Sequence, residues 1–409
     1  YNNTPGLETT PYMLMDRLLN FDRFLEEVKL DFNSEFSYKV KKDLTARIRL
    51  NGTYINAREN EYEMPNSFNA LLFSTTPGVT TFDGGDFQGY EDISGRREFY
   101  FNNLYQLAYS KNYKKHSIDL SVNMEYNHSR LNTNFFRQRG LNPMFFIPNT
   151  GQGYVADVST NDNYVPQIGA SNLRRDGISY FGLLDYDFDS FLGFTASFRR
   201  DGSSIFNPGS QFNNTWSVGG RINLDKMEFL KDYTAINALK LRASYGTTGN
   251  ERVLGGTAFA GIVRPLFLDS WAQVNNAYNG QFGLAGALGF PGLSWETVYQ
   301  LNVGVDYAFF QSRIRGAVEY YNRVTNDLYY SVPISAVTGQ STLRQNSDAT
   351  VTNSGFELDI AGDLIRNEDF KLTLRFNTNY NKNVVNGIVE NNGQLILSLI
   401  HISEPTRPY

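Results

Sequence analysis

Apolar and polar residues alternate along this chain with a period of two, over and over. In 356–360, Phe356, Leu358 and Ile360 fall on one face and Glu357 and Asp359 on the other. After a short turn, 370–376 repeats the pattern, with Lys371, Thr373 and Arg375 on the polar side. Such alternation predicts a strand with one apolar and one wet face. Twelve strands are predicted in this way. The first ten are 28–40, 44–56, 97–110, 116–128, 177–188, 191–202, 213–224, 238–248, 297–309 and 314–330. The strands through 356–360 and 370–376 complete the set. The cleanest is 116–128, where Ile118, Leu120, Val122, Met124 and Tyr126 oppose Asp119, Ser121, Asn123 and Glu125.

The connections alternate as well. Short links at 41–43, 111–115, 189–190 and 311–313 alternate with longer ones at 57–96, 129–176, 203–212, 249–296 and 331–351. The remaining link, 225–237, predicts a helical turn at 227–231. An antiparallel meander puts all short turns at one end and all long loops at the other. Several predicted strands reach 11–13 residues, enough to cross a bilayer at a tilt. The pattern therefore predicts an all-β, antiparallel transmembrane β-barrel, with periplasmic turns and external loops. Aromatic residues fall in two bands at the strand ends. Phe188, Phe191, Phe309, Phe310 and Phe370 lie by the turns, and Tyr54, Tyr126, Tyr245, Tyr320 and Tyr321 toward the loops. Amphipathic rings occupy such positions at membrane–water interfaces. A soluble β-sandwich is the rival fold, but its loops need not sort by length.

Composition sharpens this picture. Among 409 residues, aromatic content is 15% and charged content 19%, with 26 Tyr, 31 Phe and no Cys. The absence of Cys removes a disulfide scaffold and a thiolate metal site. No apolar run approaches the roughly 18 residues of a membrane-spanning helix. A net charge of −5, spread along the chain, gives no basic patch for nucleic acid.

The chemistry-bearing residues point to binding rather than catalysis. The only histidines are His116, His128 and His401, with no metal-ligand spacing among them. No catalytic residue, metal ligand or cofactor is assigned. The Gly-rich stretches 151–153 and 280–292 lack the spacing of a phosphate-binding loop. The segment 157–162 lacks the Gly and the terminal Glu of an EF-hand. Two sets remain as candidate ligand contacts. Phe145, Phe146, Tyr154, Tyr164, Phe267 and Trp271 lie in the two largest predicted external loops. Such rings stack on sugar faces, grip peptide side chains, pack the loops together or meet a lid. Arg47, Arg49, Arg199, Arg313, Arg315, Glu357, Asp359, Lys371 and Arg375 are placed on the lumen side. They either steer cargo and contact a plug, or pair with one another and with water. Glu357 and Asp359 are expected to face Lys371 and Arg375 across one hairpin.

Four stretches carry a resemblance: 197–204 (SFRRDGSS), 239–250 (LKLRASYGTTGN), 293–297 (LSWET) with 301–306 (LNVGVD), and 337–339 (VTG) followed by 353–358 (NSGFEL). In combination, order and spacing they resemble the SusC/RagA-like TonB-dependent outer-membrane transporters of Bacteroidetes-type bacteria. The resemblance covers most of 30–390. It implies a barrel of about 22 strands around an N-terminal plug, of which this chain holds about twelve and not the plug. It also implies a SusD-like surface lipoprotein as lid and the TonB–ExbB–ExbD complex acting through the plug. The cargo would be oligosaccharides or peptides, the setting outer-membrane lipid. A passive porin or an adhesive outer-membrane barrel is the alternative. On this reading 1–27 is a loop and strand entry and 28–390 a partial barrel. Residues 391–409 are a non-native tail that resembles a translated sequencing adapter from about 397.

Overall fold

The computed structural model describes residues 10–68, 70, 87–155, 164–230, 233–251, 267–275, 282–335, 337, 339–387, 390–391 and 394–395. In chain order the elements begin with α1 (Thr10–Asn20), β1 (Phe21–Lys41), β2 (Leu44–Glu63), β3 (Tyr90–Tyr113) and β4 (His116–Arg139). Next come β5 (Gln167–Phe188), β6 (Leu192–Ser203), β7 (Phe212–Asn223) and β8 (Ile236–Asn250). β9 (Ser270–Asn275) and β10 (Phe282–Ala287) follow, then β11 (Glu296–Phe309) and β12 (Ile314–Asn326). β13 (Leu328–Pro333), β14 (Thr342–Ser347), β15 (Thr350–Arg366), β16 (Lys371–Asn386), β17 (Glu390–Asn391) and β18 (Gln394–Leu395) complete the list. No helix among the described residues is long and apolar enough to cross a membrane.

Twelve strands form one sheet in the order β1-β2-β3-β4-β5-β6-β7-β8-β11-β12-β15-β16. The predicted all-β meander is therefore present. The pairs β9–β10, β13–β14 and β17–β18 stand apart as separate two-stranded ladders. Register bears out the faces read from the alternation. Leu192 lies opposite Ile222, Val218 opposite Tyr245 and Val303 opposite Tyr320. These apolar rows are open: Val122, Phe194, Val218, Leu241, Val303 and Val318 are all exposed. A soluble sandwich would bury such a face, whereas a barrel turns it to lipid.

Two compact units divide the chain. One comprises Tyr1–Asn33, Asn51–Phe101 and His128–Arg174. Within it, α1 occupies part of the predicted entry loop. The Asp16 carboxylate accepts the Phe68 amide at 2.7 Å, and the Asn20 carbonyl accepts the Met64 amide at 2.8 Å. The other comprises Ser34–Leu50, Asn102–Asn127 and Arg175–Tyr409. Its described apolar core is small. Ile205, Phe206, Leu293 and Tyr329 pack together, with Phe290 and Trp295 against them.

The structure corrects several boundaries. The turn-side ends agree closely with the predicted strands, but the loop-side ends run on. β1 begins at Phe21, β3 at Tyr90 and β5 at Gln167, while β4 continues to Arg139. The predicted strand 314–330 is broken at Asp327, which has a φ of 57°, and restarts as β13. In the link 225–237, a 3-10 turn at Leu224–Lys226 runs into a turn at 227–230, where the Leu230 amide donates to the Met227 carbonyl at 3.0 Å. Near the strand ends, Trp216 packs edge-on against Tyr245 at 5.7 Å, and Tyr307, Phe309 and Phe310 form a row. Tyr321, however, belongs to the polar face, where its hydroxyl meets Asn381 at 3.1 Å.

Candidate functional site

Polar positions alternate with the exposed apolar rows, so the sheet has one continuous wet face. Its side chains reach across strands. Arg47 donates to Gln106 at 3.1 Å, Gln106 to Asn123 at 3.0 Å, and Asn123 to the Phe181 carbonyl at 3.3 Å. Arg49 pairs with Glu35 at 2.6 Å. Arg199 is a node: it donates to Asp201 at 2.6 Å and to Glu125 and Ser179 at 3.0 Å, and lies over the Phe181 ring at 4.5 Å.

Two arginines share a device that register alone reveals. Arg221 and Arg242 sit directly opposite each other on β7 and β8. Each turns away and crosses a glycine to reach a carboxylate one strand further. Arg221 lies over Gly193, its partner on β6, and pairs with Asp187 on β5. Arg242 lies over Gly304, its partner on β11, and meets Glu319 on β12 at 2.6 Å. Asp306 takes Lys240 at 2.8 Å and Arg242 at 3.3 Å. A concavity of 210 Å³ borders both arginines, with Thr195, Gly219, Ser244 and Asn302 in its lining.

The last hairpin departs from expectation. Register places Glu357 opposite Asn379, Asp359 opposite Asn377 and Arg375 opposite Ala361. The expected pairing of Glu357 and Asp359 with Lys371 and Arg375 is thus absent. A different carboxylate collects the cations. Asp363 lies 3.2 Å from Arg315 and 3.8 Å from Lys371, and accepts the Thr373 hydroxyl at 2.8 Å. The register irregularity between Asp363 and Ile365 shifts the pairing there, which alternation in the sequence cannot show. Arg313 is not on a strand; it closes the turn between β11 and β12, its amide donating to the Phe310 carbonyl at 3.1 Å.

Most of the loop rings that can be placed are committed to loop packing. Phe146 is 8% exposed and meets Tyr62 edge-on at 6.2 Å. Tyr154 stacks with Phe136 at 5.6 Å and donates to the buried Glu91 carboxylate, which also accepts Asn60 at 3.2 Å and the Asn149 amide at 2.7 Å. Burial beside Glu91 pushes the Tyr154 phenol well above its usual range. Tyr164 is 1% exposed; its hydroxyl accepts the Phe87 amide at 2.9 Å and its carbonyl accepts Gln138 at 3.0 Å. Phe145, by contrast, is 61% exposed, between exposed Met144 and buried Phe146. Phe267 is half-buried. Trp271 has its backbone in β9, and its side chain lies outside the described residues, as do the backbones of 157–162 and of the tail from 396.

A second anchor was not read from sequence. Glu296 is buried, accepting the Tyr329 amide at 2.8 Å and Asn250 at 2.6 Å. Tyr329 returns a bond to the Asn250 carbonyl at 3.2 Å, and burial next to Glu296 raises its phenol pKa. Asn346 donates to the Ser294 carbonyl at 3.0 Å and accepts the Ser294 amide at 2.8 Å, tying β14 to the same loop. No group of three or more His, Asp or Glu suited to a metal ion occurs among the described residues.

A meander of twelve long strands with an exposed apolar face and a cross-linked polar face defines a β-barrel of the outer-membrane class. Comparison with known proteins carries this further. Residues 2–398 match the family described as TonB dependent receptor-like, beta-barrel. The chain belongs to that family, whose barrels are outer-membrane receptors. It is 29% identical over 378 residues to TonB-dependent receptor P39 of Formosa agariphila, covering 90% of this chain and 33% of that protein. It is 26% identical over 392 residues to TonB-dependent receptor SusC of Bacteroides thetaiotaomicron, covering 94% of this chain and 35% of SusC. The RagAB peptide importer in its closed-closed state superposes with a TM-score of 0.73 at 22% identity, covering 90% of this chain and 37% of that one. The SusC/RagA-like resemblance read from the motifs is borne out. The chain spans about a third of the length of the curated relatives it matches.

Proposed function

We propose that the protein containing this chain is an energised importer of the SusC type in the outer membrane, taking up oligosaccharides or peptides. The observation that supports this most is the match of nearly the whole chain to the receptor barrel, with sequence similarity to SusC over 94% of its length. The chemistry agrees. A polar face laced with arginine–carboxylate pairs presents hydrogen-bond donors and acceptors to a hydrophilic cargo and needs no covalent step. A plug outside this chain would couple to TonB–ExbB–ExbD, and a SusD-like lipoprotein would close the external end. Phe145, exposed at its loop, is the ring best placed to meet cargo or lid, while the lumen arginines hold the wall's charge pattern.

The test is uptake of labelled oligosaccharides and labelled peptides by cells that carry the full-length gene and its neighbouring lipoprotein gene. Uptake of one cargo class that disappears when tonB is deleted is the expected result. Uptake unaffected by that deletion would replace this reading with a passive pore.

A further inference from the structure

The short-turn end of the sheet carries a charge pattern that import does not require. The chain has twelve lysines, and six of them, Lys39, Lys41, Lys42, Lys111, Lys114 and Lys115, lie within three residues of two hairpin turns. Arginine is not sorted this way: Arg58, Arg96 and Arg137 lie at the loop-side parts of their strands. The two turns are held side by side along one rim. The Ser110 amide donates to the Asp43 carbonyl at 2.9 Å, and the Asp189 amide to the Lys115 carbonyl at 2.7 Å.

Few carboxylates answer these cations. Lys111 is 3.9 Å from Asp43, and Lys115 is 2.6 Å from Asp189 with both side chains largely in solvent. Exposed pairs of that kind hold weakly and exchange readily. Lys41, Lys42 and Lys114 have no ion-pair partner among the described residues; Lys114 lies over the Tyr113 ring at 5.4 Å. Lys114 also adopts a φ of 51°. That left-handed conformation is easy for Gly or Asn and strained for Lys, so a cation stands where the turn itself would favour a smaller residue. Directly alongside, the same strands expose Tyr38, Leu107, Tyr113 and Leu120. Cationic tips beside an open apolar surface fit a molecule with an anionic head and acyl chains.

We propose that the lysine-rich turns joining β1 to β2 and β3 to β4 form a binding surface for anionic phospholipid headgroups in the periplasmic leaflet. The surface rests on the outer-membrane reading above, which puts the short turns at that leaflet. Lys41, Lys42 and Lys114 contact the phosphate, Lys111 and Lys115 shift to it from Asp43 and Asp189, and the acyl chains run up the apolar rows.

The experiment uses the full-length receptor purified in detergent, with native mass spectrometry counting bound lipid. Phosphatidylglycerol and phosphatidylethanolamine of identical acyl chains are offered in parallel. The wild type retains phosphatidylglycerol in preference. Replacing Lys41, Lys42 and Lys115 by Gln and Lys114 by Asn removes the preference, at about fivefold for each lysine lost. Heat-modifiable migration on gels checks that the variant barrel is folded. Should the quadruple variant not fold, Lys114→Asn alone suits the turn and still lowers the preference about fivefold. Equal retention of the two lipids by the wild type overturns the proposal, as does an unchanged preference in a folded variant. Displacement of bound lipid by glycerol phosphate at equal concentration would also overturn it, since that marks an anion site without acyl contacts. An absent preference alongside TonB-dependent uptake removes only this surface; selective lipid binding without such uptake removes only the import reading.

Discussion

Single residues on the polar face work through the space that glycine leaves. A Cβ on Gly304 would stand 2.8 Å from the Arg242 guanidinium carbon, and one on Gly193 would collide with Arg221. Gly304→Val is therefore expected to push Arg242 off Glu319 and destabilise the barrel by about 1–3 kcal/mol. Gly362→Ala, where a Cβ meets nothing within 4 Å, is expected to be neutral. The temperature at which heat-modifiable migration is lost measures both. Two phenols give a pH signature outside the membrane. Tyr154 and Tyr329 have pKa values raised by burial and by Glu91 and Glu296 respectively. A raised folded pKa means their contribution to stability is full below the unfolded value of about 10 and falls as pH rises beyond it. Spectrophotometric titration of tyrosinate is expected to show both among the last to ionise, and Tyr154→Phe and Tyr329→Phe each to remove one late-titrating group. Arg and Gly could each be read in the sequence, but not as a pair, because which glycine faces which arginine is a matter of register.

Elements show where alternation is legible and where it stops. Within the bilayer, lipid on one side and water on the other force a period of two, so 116–128 and 238–248 were plain from their residues. Beyond it both faces meet protein or water. At the start of β3, neighbouring Tyr90 and Glu91 are both buried, which no alternation can encode, and the predicted strand began at 97 instead of Tyr90. The β13–β14 hairpin was hidden for a related reason: its anchor is a single buried carboxylate, Glu296, that gathers Tyr329 and Asn250 from distant segments. Removing that acceptor with Glu296→Ala leaves buried donors unpaired at a cost of about 1–3 kcal/mol. Hydrogen exchange at the Tyr329 amide is expected to accelerate by one to two orders of magnitude, with the β7–β8 ladder unchanged.

At the scale of the molecule, the sheet order begins at β1 and ends at β16, each paired on one side only among the described residues. Long edges with free backbone groups are templates for pairing. The segment 21–386 expressed by itself and refolded in detergent is expected to associate, and size-exclusion chromatography with light scattering should report species larger than one chain. A monodisperse monomer would show that the edges cover themselves. The same scale holds the contrast between the two ends of the sheet, with lysine gathered at the turns and buried carboxylate–tyrosine anchors at the loops.

By itself the sequence determined the class of fold, the two faces of each strand and the kinship with SusC-like receptors. Those follow from local periodicity and short motifs, which a solvent boundary imposes strand by strand. The tertiary structure alone decided which charges meet. It moved the cation-gathering role from Glu357 and Asp359 to Asp363, sent Arg221 and Arg242 apart across glycines, and gave Phe146, Tyr154 and Tyr164 to loop packing while leaving Phe145 exposed. Such outcomes depend on register and on contacts between residues far apart in the chain, where one step of slip changes every partner and no local pattern records the choice.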